Sequence, residues 1–107
     1  MLKKFITERA KAHMGEIRRF TKIRWGMAQS VKYMQELSNK IDLLAQRPQI
    51  GMDRSGDSGA GIHSYFVGSH TIYYRYDSEL LVVYAILHQS MTPLAHLTLE
   101  IPYKPFL

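Results

Sequence analysis

Three strand-forming runs follow one another between residues 62 and 87, joined by connections too short to hold any other element, which dictates an antiparallel meander. Ile62 to Val67 and His70 to Tyr76 are separated by Gly68-Ser69, a two-residue loop whose leading glycine suits a type II′ hairpin turn. Leu80 to Leu87 follows across Asp77-Ser78-Glu79. Strand alternation then groups Ile62, Ser64, Phe66, Thr71, Tyr73 and Arg75 on one face, and His63, Tyr65, Val67, His70, Ile72 and Tyr74 on the other. The third run is apolar in both phases, with Leu80, Val82, Tyr84 and Ile86 opposite Leu81, Val83, Ala85 and Leu87. Both faces of this sheet therefore need cover.

Upstream, the apolar period changes from two to that of a helix. From about Glu8 to Arg24, Ala10, Met14, Ile17, Phe20 and Arg24 recur at helical spacing, with Arg18, Arg19 and Lys22 on the outer side. Trp25-Gly26 breaks the pattern. A second helix from about Met27 to Arg47 carries Met27, Val31, Met34, Leu37, Ile41 and Leu44 in one stripe, and Pro48 stops it. The short connection predicts an antiparallel helical hairpin, which can cover one face of the sheet. The other face calls for the chain's own tail, a second copy or a partner, since large exposed apolar patches mark interaction sites. Residues 51–61, with four glycines, read as a loop, and Leu2 to Ile6 as a possible first strand.

At 107 residues the chain has room for one domain with a single modest core. It has no cysteine, which removes disulfides and thiolate metal sites and makes an intracellular location the default. The apolar positions near the start are interrupted by Lys3, Lys4, Glu8, Arg9 and Lys11, unlike a signal peptide, and Leu80 to Leu87 is too short to span a bilayer. Charge is unevenly placed. Residues 1–24 hold eight basic side chains against Glu8 and Glu16, a net +6, while the remaining 83 residues sum to −1. Such an end suits an acidic or nucleic-acid-bearing partner, although a charged helix face can also simply be solvated.

The polar residues offer little catalytic chemistry. His63, His70, His88 and His96 lack helical ligand spacing, and His63 and His70 lie on strands among aromatics, so a histidine bonded to backbone is the better reading than a metal site. Ser55 and Ser58 lack the strand–elbow–helix context of a serine nucleophile. The glycines from Gly56 to Gly61 follow no strand and lack the lysine of a phosphate loop. No catalytic residue, metal or cofactor is expected.

The run Gly68-Ser69-His70-Thr71-Ile72-Tyr73-Tyr74-Arg75, then Ile86-Leu87-His88-Gln89-Ser90-Met91, then Pro93, His96 and Leu97, resembles the ParE-type toxins of bacterial toxin–antitoxin pairs. The resemblance continues upstream through Trp25-Gly26, Gln29, Tyr33, Leu37, Ile41-Asp42, Leu44-Ala45, Pro48 and Ile50-Gly51, and covers roughly residues 8 to 97. It implies an α+β domain over 1–97 with an N-terminal strand, an antiparallel helical hairpin and a three-stranded antiparallel meander, followed by an apolar tail over 98–107. It further implies a cytoplasmic toxin serving plasmid or chromosome maintenance. Such a toxin inhibits DNA gyrase without cofactor or catalysis, is neutralised by a ParD-like antitoxin, meets DNA only indirectly and does not engage membranes.

Two alternatives stand beside this. RelE-type members of the same superfamily cleave messenger RNA on the ribosome with a cluster of basic residues and a C-terminal aromatic or histidine. Here Ser64, Thr71, Met91 and Leu97 occupy the corresponding positions, leaving Arg75, His88 or Tyr103 as substitutes. An inactive homologue that only binds the antitoxin is the other alternative. The family's usual arginine is His63 here, and an often acidic position is Thr92. The antitoxin is expected, as a helix with an extended stretch, on the face bearing Ile62, Phe66, Tyr73 and Arg75 and in the grooves beside the helices, and the target on Arg18, Arg19, Lys22, Arg24 and Trp25.

Overall fold

A computed structural model describes residues 1–56 and 59–89. Strand β1 (Lys3–Ile6) leads into helix α1 (Glu8–Trp25) and helix α2 (Met27–Gln46). A 3-10 turn at Pro48–Ile50 precedes β2 (Met52–Asp53), β3 (His63–Val67), β4 (His70–Tyr76) and β5 (Leu80–His88). The strands form one sheet in the order β1-β5-β4-β3-β2. The meander β3–β4–β5 is antiparallel as expected, with Val67 opposite His70 across the Gly68-Ser69 loop, and Gly68 takes a φ of 57°, a conformation that favours glycine.

Two features of the sheet differ from the sequence reading. Lys3–Ile6 pairs in parallel with Leu80–Val83, so the sheet is mixed. Residues 51–61 are not wholly loop, because Met52 and Asp53 pair with Ser64 and His63, and Arg54 N–H donates to Ile62 O. A two-residue strand carries too little periodicity to be seen in sequence; it exists because β3 offers it an edge.

Helix α1 starts where Thr7 supplies a cap: its Oγ1 accepts from Ala10 N–H at 3.1 Å and donates to Tyr84 O at 3.1 Å. One hydroxyl thus satisfies a helix end and a strand carbonyl. Thr7→Ala is expected to lower the unfolding free energy by about 1–2 kcal/mol, read as a shifted urea midpoint with unchanged slope; an unmoved midpoint would dismiss the cap. At the other end Gly26, at φ 97°, ends α1 and turns the chain straight into α2.

The helices pack on the face bearing Val67, Ile72 and Tyr74, forming the main core with Ala10, Ile17, Leu37, Ile41, Leu44, Leu81, Val83 and Ile86. The stripes predicted for both helices hold only at the ends nearest the sheet. In α1 the buried line runs Ala10, Ile17, Thr21, and Phe20 is exposed. Thr21 turns inward because its Oγ1 bonds Ile17 O at 2.8 Å and Ser30 Oγ at 2.9 Å, while Ser30 Oγ donates to Arg18 O at 3.0 Å. These small polar residues let the helices meet closely near the turn. In α2, Leu37, Ile41 and Leu44 are buried, but Met27 and Val31 are exposed.

The face grouping of β5 also needs correction. Tyr73 pairs with Ala85 but Tyr74 pairs with Val83, so Tyr84 is an extra residue, a β-bulge. Tyr84 and Ala85 both join the second apolar cluster, with Ile62, Tyr73, Val82 and Leu87, and Ile86 crosses to the helix side. A bulge disrupts the strand ladder locally, and the N-terminal part of α1 with its cap meets backbone at this one and just beyond it: Thr7 donates to Tyr84 O, and His13 Nδ1 accepts from Ile86 N–H at 3.2 Å. His13 is a histidine the sequence reading did not single out.

The second cluster lies on the sheet face away from the helices, yet its members are buried. The turn or helix expected after Thr92-Pro93, and the apolar tail 98–107, lie outside the described residues.

Candidate binding surfaces

The expected target-binding residues Arg18, Arg19, Lys22, Arg24 and Trp25 all lie on the second half of α1, and all are exposed. The structure brings Arg18 and Lys22 together on one wall of a groove of about 340 Å³, with Met27, Ser30, Val31 and Met34 of α2 along it. Arg24 swings to the helix end, its guanidinium carbon 5.5 Å from the Trp25 ring centroid and 6.0 Å from that of Phe20. Both distances suit cation–π attraction. The sequence reading missed that Phe20, Ile23, Met27 and Val31 are exposed beside these cations. One signal was available: no acidic residue occurs between Glu16 and Glu36.

The expected antitoxin face divides. Phe66 is 57% exposed, whereas Ile62 and Tyr73 are buried, at 7% and 5%. Arg75 is half-buried, and its Nε donates to Ala60 O at 3.0 Å with Nη2 joining the same carbonyl. Its guanidinium also stabilises the Tyr84 phenolate, opposing the burial that raises the Tyr84 phenol. Beyond Ser64, the last residue of β3 paired to β2, the edge at Phe66 has no strand partner among the described residues.

The strand histidines are held by local partners. His63 Nδ1 lies 3.1 Å from Gly61 O, and its ring packs against Tyr74 and Tyr76. Tyr33 of α2 reaches the β3–β4 turn, where its hydroxyl sits 2.7 Å from His70 Nδ1 and 3.0 Å from Val67 O and accepts from Ser69 N–H at 3.3 Å. His88 stands edge-on to His70 at 5.4 Å. Among the described residues no group of three or more histidine and acidic side chains is placed to hold a metal.

Burial, and secondarily the charge of His88, push His70 down to about 4. The folded chain keeps His70 neutral to near that pH, whereas an unfolded histidine protonates near 6.5. Stability should therefore be unaffected by this group above pH 6.5, decline as pH falls toward 4, and level off below. His70→Gln should flatten that decline in urea titrations across the interval; an equally steep decline in the variant would remove His70 as its cause.

A leading strand, a helical hairpin and a mixed sheet in this order are the architecture of the RelE/ParE toxins. A solved chain from the chromosomal ParDE toxin–antitoxin system of P. aeruginosa has this fold, with a TM-score of 0.71 at 17% identity over 82% of this chain and 96% of that one. The family model for the ParE toxin of type II toxin–antitoxin systems matches residues 5–93. Toxin ParE1 of Caulobacter vibrioides is 34% identical over 92 residues, covering 86% of this chain and 94% of the relative. Toxin ParE1 of Mycobacterium tuberculosis is 40% identical over 84 residues, 77% of this chain and 84% of the relative. The chain belongs to the ParE toxin family of type II toxin–antitoxin systems. No helix among the described residues is long and apolar enough to cross a membrane.

Proposed function

We propose that this chain is a toxin that inhibits DNA gyrase by binding, without chemistry of its own, and that a ParD-like antitoxin neutralises it in the cytoplasm. The observation that carries the target reading is the exposed basic end of α1, where Arg18, Arg19, Lys22 and Arg24 precede an exposed Trp25 and Arg24 lies over its ring. Cations steer association with an acidic or DNA-laden partner, and arginine and tryptophan are the side chains that most often dominate interface energy.

The antitoxin reading centres on Phe66. An extended segment added along the open edge of β3 gains backbone hydrogen bonds and covers the Phe66 ring, with Ile62, Tyr73 and Arg75 as the ordered bed behind it. Cleavage of RNA is disfavoured by the same face. Ser64 and Thr71 are buried there, and neither offers the positive charge that a scissile phosphodiester needs.

The test is a supercoiling and DNA-cleavage assay with purified gyrase. Inhibition with accumulation of cleaved DNA, relieved by the antitoxin, is expected. Absence of inhibition under every nucleotide condition sinks the gyrase reading and leaves the chain a binder of the antitoxin alone.

A further inference from the structure

The end of the helical hairpin carries more apolar surface than an electrostatic contact requires. Phe20, Ile23, Trp25, Met27 and Val31 are all exposed there, Ile23 at 80% and Trp25 at 61%. Residues 17–35 hold Arg18, Arg19, Lys22, Arg24 and Lys32 and no aspartate or glutamate. Soluble domains rarely leave so many large apolar side chains together in water. Charge at this density repels cationic surfaces and selects an anionic one.

Geometry narrows the anion. Arg18, Lys22 and Trp25 fall at positions i, i+4 and i+7 of α1, on one flank, so two cations lead along the helix to an exposed indole at its end. Gly26 breaks the helix immediately afterwards, leaving Trp25 at the apex. Arg24 lies over both Trp25 and Phe20, so three flat groups are gathered at one place. A lipid surface or an acidic peptide uses the cations and takes aromatic and aliphatic side chains alike, so neither calls for flat groups in particular. A nucleic acid strand uses both, placing phosphates on the cations and an unstacked base on the aromatic face.

We infer that the hairpin tip contacts DNA directly, binding an unpaired strand with phosphates on Arg18 and Lys22 and a base stacked at Trp25. This goes beyond gyrase inhibition and replaces the indirect contact with DNA that the family resemblance implied. It stands apart from the identity of the protein target, because it concerns the free chain.

Trp25 is the only tryptophan in the chain, so its fluorescence reports on the tip alone. The full chain is titrated with a 20-nucleotide oligothymidylate, an abasic strand of equal length, polyglutamate, and phosphatidylserine vesicles. Oligothymidylate is expected to quench Trp25 and to bind about tenfold more tightly than the abasic strand, the gain that one base–aromatic stack supplies. By anisotropy of labelled strand, Trp25→Ala should bind about tenfold more weakly with an unchanged salt dependence. Arg18→Ser with Lys22→Ser should lower the slope of log affinity against log salt by about 1.4 for a single strand. Both variants alter exposed residues, and unchanged thermal midpoints would confirm that they fold.

Equal binding of the abasic strand, or of polyglutamate, overturns the stacking contact in favour of charge alone. A response to vesicles without one to DNA makes the tip a lipid-facing surface, and no response to any of the four discards it as a site. Strand binding without gyrase inhibition would retain this inference and remove the gyrase reading, whereas the reverse result would do the opposite.

Discussion

Leu44→Ala is expected to lower the unfolding free energy by about 2–5 kcal/mol, whereas Val31→Ala on the same helix should change it by no more than about 0.5 kcal/mol. The two residues share one helical stripe in the sequence, yet Leu44 is 0% exposed and Val31 60%. Leu44 of α2 sits in the main core shared by the helices and the sheet, where a lost isobutyl group leaves a void that close-packed neighbours fill only partly. Val31 lies on the groove near the hairpin turn and leaves only solvent behind. Small domains are stable by about 5–15 kcal/mol, so the first change removes a large share and combining it with Leu37→Ala should prevent folding. Urea denaturation followed by far-UV circular dichroism measures both. A comparable fall for Val31→Ala would mean that the hairpin end is covered in the isolated chain.

Gyrase inhibition should weaken about a hundredfold in an Arg18→Ser, Arg19→Ser, Lys22→Ser variant. Each exposed cation that meets phosphate or carboxylate contributes about 1 kcal/mol, and three lost contacts sum to about 3 kcal/mol, a little over two decades in affinity. The loss should be greatest at low salt and shrink as salt rises, because screening removes the same term from the wild type. The variant should melt with the wild type, since all three side chains are exposed. The readout is the toxin concentration that halves supercoiling at two ionic strengths. Equal potency at both would keep gyrase as target and discard α1 as its contact.

Much of the architecture was legible along the chain. Alternation in residues 62–76, a two-residue turn opened by Gly68 and the stop at Pro48 fixed three element boundaries to within a residue. Which face bears the helices was not legible, since the third run is apolar in both phases, and the structure puts Ile72 and Tyr74 on the helix side. The cations on α1 were visible as charge, and their exposure follows from their chemistry. The apolar half of the same surface was not legible, because Phe20, Met27 and Val31 continue patterns whose other members are core. Periodicity says which residues of a helix share a side, not how far the sheet beneath it extends.

The sequence by itself determined the local conformations and the family, because turns, breakers and hydrophobic period act over a few residues, and the blocks from Trp25-Gly26 to Ile86-Leu87-His88 stand in the family's order. Only the tertiary structure decided the register of β5. An extra residue at Tyr84 is invisible in a run that is apolar on both faces, yet it sends Ile86 to one core and Ala85 to the other, and the bulge and the strand just beyond it are met by Thr7 and His13, over seventy residues away in sequence. The parallel partner of β1, the edge pairing of Met52–Asp53 and the apolar end of the hairpin were decided in the same way, by which surfaces met across the fold and which were left over.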